Sequence, residues 1–215
     1  MTVATDLLVV RHGEAKCNVT GTVGGPNTCT GLSDRGRQQV IQLSRRLAYE
    51  HRQRPFEAFY ATPRQRVIDT ADLIGAHLPL TATIIDDLRG PDHGQADGRS
   101  WYDVKSDFGG PPQHAPDRPY APESESWNQY LDRAHTVLRD LLCRHAGQKL
   151  LLAAHGETVE AIHVLLLELR PSVRLGVGFV TGHAAIARWQ EHVNRFDRRV
   201  WMLAAHNDTS HLTPR

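Results

Sequence analysis

Residues 7–14 read Leu7-Leu8-Val9-Val10-Arg11-His12-Gly13-Glu14, and residues 150–157 read Leu150-Leu151-Leu152-Ala153-Ala154-His155-Gly156-Glu157. Each is a short apolar run that ends abruptly in His-Gly-Glu. Such a run, closed by polar residues, is the pattern of a strand buried on both faces, which occurs where helices cover both sides of a parallel sheet. In an open α/β sheet, ligands collect outside the carboxyl ends of the strands. Two such junctions on neighbouring strands therefore aim two histidines into one pocket. Each histidine stands beside a glycine that leaves the backbone room.

Outward from these junctions the chain alternates between strand and helix patterns. Ser33 is placed to cap a helix whose Val40, Leu43 and Leu47 form one stripe. Phe56–Tyr60 reads as a second strand, and Thr62-Pro63 as the N-cap and first residue of a helix running through Ile74. Helical periodicity returns over Trp127–Leu142 and again over Thr158–Leu169, and Lys149–Ala154 lies between them as a buried strand. Ala184–Trp189 and Arg199–Ala204 are strand-like, whereas Gly21–Gly31 reads as loop. Residues 89–125, with Gly109-Gly110-Pro111-Pro112 at their centre, lose periodicity and read as an irregular, lid-like excursion. The pattern predicts an α/β fold of three layers, α/β/α, around a mainly parallel sheet, with residues 1–215 forming a single domain.

Composition narrows the function classes. The chain has 215 residues, 40% of them hydrophobic and 23% charged, which excludes disordered, collagen-like and coiled-coil readings. With 25 basic against 24 acidic residues, no whole-chain field favours nucleic acid or an anionic membrane as partner, so any anion site is local. Leu7–Val10 is too short for a signal-peptide core or a membrane span, and the expected compartment is the cytoplasm. Cys17, Cys29 and Cys143 form no CxxC pair, so neither a disulfide framework nor a zinc motif is expected. No metal or cofactor is expected, and a homodimer is left open.

The string Arg11-His12-Gly13-Glu14, with Asn18 four residues further, resembles the signature of the histidine phosphatase superfamily, whose members are similar to cofactor-dependent phosphoglycerate mutase. Three further blocks agree in order. Thr30-Gly31-Leu32-Ser33-Asp34-Arg35-Gly36-Arg37-Gln38 and Ala61-Thr62-Pro63-Arg64-Gln65-Arg66 resemble two of its internal motifs, and His155-Gly156 resembles its second catalytic histidine. Asn207-Asp208-Thr209-Ser210-His211-Leu212 is similar to the close of many bacterial members. The resemblance spans nearly the whole chain and implies a phosphoglycerate mutase-like fold.

The chemistry of the residues agrees. A phosphate monoester carries about two negative charges near neutral pH and repels anionic nucleophiles. A neutral imidazole attacks without adding charge, and guanidinium groups hold phosphoryl oxygens in bidentate fashion. The expected roles are His12 as nucleophile, His155 as its partner in stabilising the transferring group, and Arg11, Arg66, Asn18 and Gly156 as phosphate-binding residues. Glu14 either sets an imidazole tautomer or pairs with an arginine. One position departs from the family pattern: Gly90 stands in Leu88-Arg89-Gly90 where similar phosphatases and mutases carry the proton-donating Glu. Glu125, in Pro122-Glu123-Ser124-Glu125-Ser126, is the first candidate to replace it, followed by Asp92 and His93.

These residues predict a phosphatase that hydrolyses a small-molecule phosphate monoester. Trp101, Tyr102, Phe108, Tyr120 and Trp127 cluster in and beside the excursion and could stack on a planar ligand, so a nucleotide or flavin mononucleotide type of ester is one substrate reading. Superfamily members in flavin-antibiotic pathways act on an aminoriboflavin phosphate, a variant this chain could resemble. A mutase-like phosphotransferase and a non-catalytic phospho-ligand binding module are the alternatives. A metalloprotein reading rests on Glu160-Ala161-Ile162-His163 alone, without the second ExxH that a di-metal bundle needs.

Overall fold

A computed structural model describes residues 2–170 and 176–212. The strands are β1 (Thr2–Arg11), β2 (Ala58–Ala61), β3 (Thr83–Ile84), β4 (Lys149–Ala154), β5 (Ile186–Val193) and β6 (Arg199–Asp208). The α-helices are α1 (Lys16–Thr20), α2 (Asp34–Gln53), α3 (Gln65–Gly75), α4 (Trp101–Phe108), α5 (Trp127–Arg144) and α6 (Gly156–Leu166). The strands form one sheet in the order β3-β2-β4-β1-β5-β6.

The first four strands of that order run parallel, and β1–β5 and β5–β6 are antiparallel. The expectation of a mainly parallel sheet therefore holds with an antiparallel edge. The β5–β6 pairing has a local cause: a short turn through Asn194–Arg198 joins the two strands, and a tight hairpin can pair them only antiparallel. Alternation along the central strands makes the three layers. Leu7, Val9, Leu150 and Leu152 face a core shared with Leu131, Leu138 and Ile162 of α5 and α6. Leu8, Val10, Leu151 and Ala153 face the opposite core with Val40, Leu43 and Leu47 of α2 and Ile74 of α3. Among the described residues no helix is long and apolar enough to cross a membrane.

Two helix starts differ from their expected places. Ser33 caps α2 as expected, accepting from the Gly36 amide. By contrast, α3 begins at Gln65 with Arg64 at its N-cap, because the Thr62 hydroxyl is engaged by a histidine across the sheet and does not turn back onto the helix. Helix α6 starts at Gly156, earlier than Thr158, so His155 itself is its N-cap residue. The excursion over residues 89–125 is also more ordered than its composition suggests. It contains α4, capped by the Ser100 hydroxyl and closed by Gly109 at φ 87°. It has its own small core of Val104, Phe108, Tyr120 and Ala121 packed on Val23 and Ala96. Eight residues are too few for a helical period to emerge from a segment so rich in Gly and Pro.

The sheet register fixes the site. Arg11 pairs with Ala154, and the His12 amide donates to the Ala154 carbonyl at 2.9 Å. The two strands therefore release His12 and His155 side by side at the carboxyl edge. The turn after His12 is held by backbone packed on backbone: a Cβ on Gly36 would lie 1.9 Å from the Glu14 carbonyl oxygen, and one on Gly13 would lie 2.5 Å from the Gly36 carbonyl oxygen. Neither neighbour is a side chain that can swing away. Gly36→Ala should therefore cost about 3 kcal/mol of stability, at the upper end for overpacking. Urea unfolding checks this, and an unchanged midpoint would contradict the packing described.

Candidate active site

His12 and His155 lie in an edge-to-face pair with ring centroids 5.5 Å apart, and both are essentially buried. Arg66, from the first turn of α3, reaches between them. Its Nε donates to His12 Nε2 at 3.0 Å and its Nη2 to His155 Nδ1 at 3.2 Å, while Nη1 donates to the Gly24 carbonyl at 2.7 Å and touches Cys29 Sγ at 3.3 Å. A guanidinium has no acceptor, so each ring nitrogen facing it must carry a lone pair. The remaining nitrogens complete the tautomers. His12 Nδ1 donates to its neighbour's carbonyl, Gly13 O, at 2.7 Å, and His155 Nε2 donates to Thr62 Oγ1 at 3.0 Å. Both rings are thus neutral, with opposite tautomers. Burial, followed by the nearby Arg66 charge, holds both well below the usual histidine range.

Positive charge surrounds the pair. Arg11, Arg64 and Arg66 are all largely buried, and among the described residues none is ion-paired within 4.0 Å. Arg11 donates through Nη1 to the Thr181 carbonyl, whereas its buried Nε has no partner. An orphaned buried donor costs about 1–3 kcal/mol unless something accepts from it. Asn18 is also arranged to give: its Oδ1 accepts from the Ala15 amide at 3.0 Å, which leaves its amide nitrogen for the cavity it lines. Gly156 opens α6, where free backbone amides and the helix dipole favour an anion. A Cβ there would lie 3.6 Å from Arg11 Nε, so close packing does not demand glycine.

Beyond the histidines opens a cavity of about 430 Å³ beneath the excursion, whose wall includes Arg11, Asn18, Trp101, Lys105, Tyr120 and Glu157. Glu125 also reaches this wall but is not free to donate a proton. Arg133 holds it through Nε at 2.8 Å and Nη2 at 2.6 Å, and the Asp92 amide donates to it at 2.8 Å. Burial pushes its carboxyl up, but these hydrogen bonds outweigh that effect and leave it below its ordinary value. Glu125, expected as the acid, is engaged here as a strut between the excursion and α5.

Asp92 is likewise occupied, accepting from the Gly94 amide at 3.2 Å. His93 is buried against Tyr120, whose hydroxyl its Nδ1 meets, and burial lowers it to about 4. Glu14 accepts from the Ser33 hydroxyl at 2.7 Å and faces Arg35, so of its two expected roles the arginine partner is the one observed. His163 accepts from Trp189 Nε1 at 3.0 Å and meets His206 at 2.9 Å, and this core network uses both ring nitrogens of the ExxH motif.

The sequence assigns three residues at the site no role there, although Thr62 and Glu157 stand in its motifs. His183 stands 6.0 Å from His12 between ring centroids, with its buried Nε2 unpartnered, and burial followed by Arg11 lowers it to about 4. Its segment is fixed by Asn207, whose Oδ1 accepts from the Gly182 amide at 2.8 Å. Thr62 orients His155, and Glu157 looks into the cavity from α6.

A buried arginine cluster around two neutral imidazoles, at the carboxyl edge of a mainly parallel sheet, defines a protein built to take a phosphate ester. The chain belongs to the histidine phosphatase superfamily (branch 1), which it matches over residues 7–202. It is 24% identical over 212 residues to phosphoglycerate mutase-like protein 4 of Arabidopsis thaliana, covering 96% of this chain and 86% of that protein. It is 24% identical over 216 residues to a metal-independent phosphoserine phosphatase of the same plant, covering 97% and 84%. Its fold matches a phosphoserine phosphatase mutant from Entamoeba histolytica in complex with phosphoserine, with a TM-score of 0.77, 20% identity, and coverage of 97% of this chain and 100% of that one.

The neutral, buried histidines impose a pH dependence on stability. His12, His93, His155 and His183 all have folded values below the unfolded value of about 6.5, so the unfolded chain binds more protons below that pH. Their contribution is complete above pH ~6.5 and is lost as pH falls through it. The urea midpoint should drop steadily between about pH 7 and pH 5, before most carboxylates titrate. A flat profile across that window would contradict the assignment of neutral rings.

Proposed function

We propose that the chain hydrolyses small-molecule phosphate monoesters by way of a phosphohistidine on His12. The observation that carries this reading is the single guanidinium of Arg66 hydrogen-bonded to the facing nitrogens of both His12 and His155. An arriving phosphoryl group offers Arg66 stronger, charge-assisted acceptors than two imidazole lone pairs. Arg66 then turns to the phosphoryl oxygens, joined by the orphaned Nε of Arg11 and the Asn18 amide, and His12 Nε2 is released to attack. The Gly13 carbonyl on Nδ1 supports the positive charge that develops on that ring. His155 turns its Nε2–H from Thr62 to the equatorial oxygens, and water then cleaves the phosphohistidine.

A second, finer reading concerns the ester's body. Trp101 and Tyr120 lie 6.2 Å apart between ring centroids at a 32° tilt, and Trp127 joins them on the cavity wall. Flat apolar rings of this kind suit a planar aromatic group, of nucleotide or flavin mononucleotide type. Lys105, whose Nζ lies 5.5 Å from the Trp101 ring centroid, would meet a further anionic group.

His12→Ala should abolish acid-labile phosphoprotein and lower turnover by at least about 10³-fold, through loss of the proposed nucleophile. Rapid acid quench with labelled ester measures both, and near-native turnover would contradict the assignment. Chelation with EDTA should leave turnover unchanged, since Arg11, Arg64 and Arg66 supply the positive charge. Loss of activity that one divalent metal restores would overturn that mechanism. Trp101→Ala should raise KM several-fold for aromatic nucleoside or flavin phosphates and leave glycerol phosphate nearly unaffected. Equal effects on both would remove the finer reading.

A further inference from the structure

The family resemblance implies a proton-donating Glu where this chain has Gly90, and the geometry there is tight. A Cβ on Gly90 would stand 3.1 Å from His155 Cδ2 and 3.4 Å from its Nε2, so this position touches the second histidine and brings no side chain to it. An alkoxide leaving group still needs a proton. Two carboxylates reach the cavity wall, Glu125 and Glu157. Glu125 is held by Arg133 and the Asp92 amide. Glu157 is different: it lies two residues past His155 in the first turn of α6, is partly buried, and among the described residues its carboxylate makes no hydrogen bond or ion pair.

We propose that Glu157 is the proton donor to the leaving alcohol, serving from α6 in place of the carboxyl absent at position 90. The inference rests on the phosphatase reading. In the first step the His12 Nε2 lone pair forms the N–P bond and the ester P–O bond breaks, with its electron pair going to the leaving oxygen. The Glu157 carboxyl transfers its proton to that oxygen, releasing a neutral alcohol and a carboxylate. In the second step water attacks phosphorus and gives its proton to the Glu157 carboxylate. The N–P bond breaks, its pair returns to His12, and inorganic phosphate leaves.

The groups facing Glu157 suit this assignment better than they suit any rival. Burial lowers the Arg11 guanidinium, and Glu157 opposes that shift, so the two sense each other without being ion-paired. Across the cavity, burial lowers His93 to about 4, so it is a neutral ring near pH 7. Burial also raises the Tyr120 and Tyr130 hydroxyls, with Glu157 adding to each, which makes both poorer acids than a carboxyl. Lys105 and Glu125 complete the charged wall.

The test compares Glu157→Gln with the native chain on glycerol phosphate and 2,4-dinitrophenyl phosphate, after thermal unfolding has verified that the variant folds. For kcat/KM, which reports the first step, the expected loss is roughly 10²–10⁴-fold on the alkyl ester and only a few-fold on the dinitrophenyl ester, whose leaving group needs no proton. The variant should also show a dinitrophenol burst and accumulate acid-labile phosphoprotein, because water attack has lost its base. Glu157→Asp should recover part of the alkyl-ester rate. An equal loss on both esters, or native rates on both, would overturn the proposal. If the native chain hydrolyses neither ester and forms no phosphoprotein, the phosphatase reading falls first and the role of Glu157 falls with it.

Discussion

The site depends on one buried guanidinium lying between two imidazoles. Arg66 donates to His12 Nε2 and to His155 Nδ1, and this arrangement is stable only while both rings are neutral. Much of the surrounding structure serves that condition. The β1–β4 register brings the two histidines side by side, the Gly13 carbonyl and Thr62 hydroxyl set the tautomers, and burial keeps protons off. Gly13 and Gly36 belong to the same requirement, since their backbones meet where any side chain would push the His12 turn out of register.

The second consequence is an unbalanced charge. Arg11, Arg64 and Arg66 sit largely out of water and, among the described residues, without ion-paired carboxylates, an arrangement costly for the free protein that a bound dianion would relieve on the proposed reading. On that reading, stability is exchanged for affinity where the phosphoryl group would lie. The excursion completes the enclosure. Its own small core and the Glu125–Arg133 clamp make it a built wall, so the aromatic face of the cavity lined by Arg11 and Glu157 is held in place.

How much of this was legible in the sequence differs from residue to residue. The two His-Gly-Glu junctions could be read because their strands are apolar on both faces, a signal carried by consecutive residues. Ser33 and Ser126 announced their helices because capping is a local hydrogen bond. Thr62 misled for the opposite reason: a Thr-Pro pair has the same local signature whether its hydroxyl caps a helix or, as here, holds a histidine from another strand. Glu125 read as a free acid because Arg133 lies two turns into α5, and only the fold closes that gap. His183 had no pattern around it, being placed by Asn207 on a neighbouring strand. Glu157 was part of the motif from the start, but that its carboxyl has no partner among the described residues is visible only in three dimensions.

The central claim, that Arg66 holds two neutral histidines of opposite tautomer, is most directly tested by nitrogen NMR of the phosphate-free protein with His12 and His155 assigned. The account predicts that both rings stay neutral down to well below pH 6.5, with the proton on Nδ1 in His12 and on Nε2 in His155. An imidazolium at either position near pH 6.5, or the same tautomer in both rings, would contradict it.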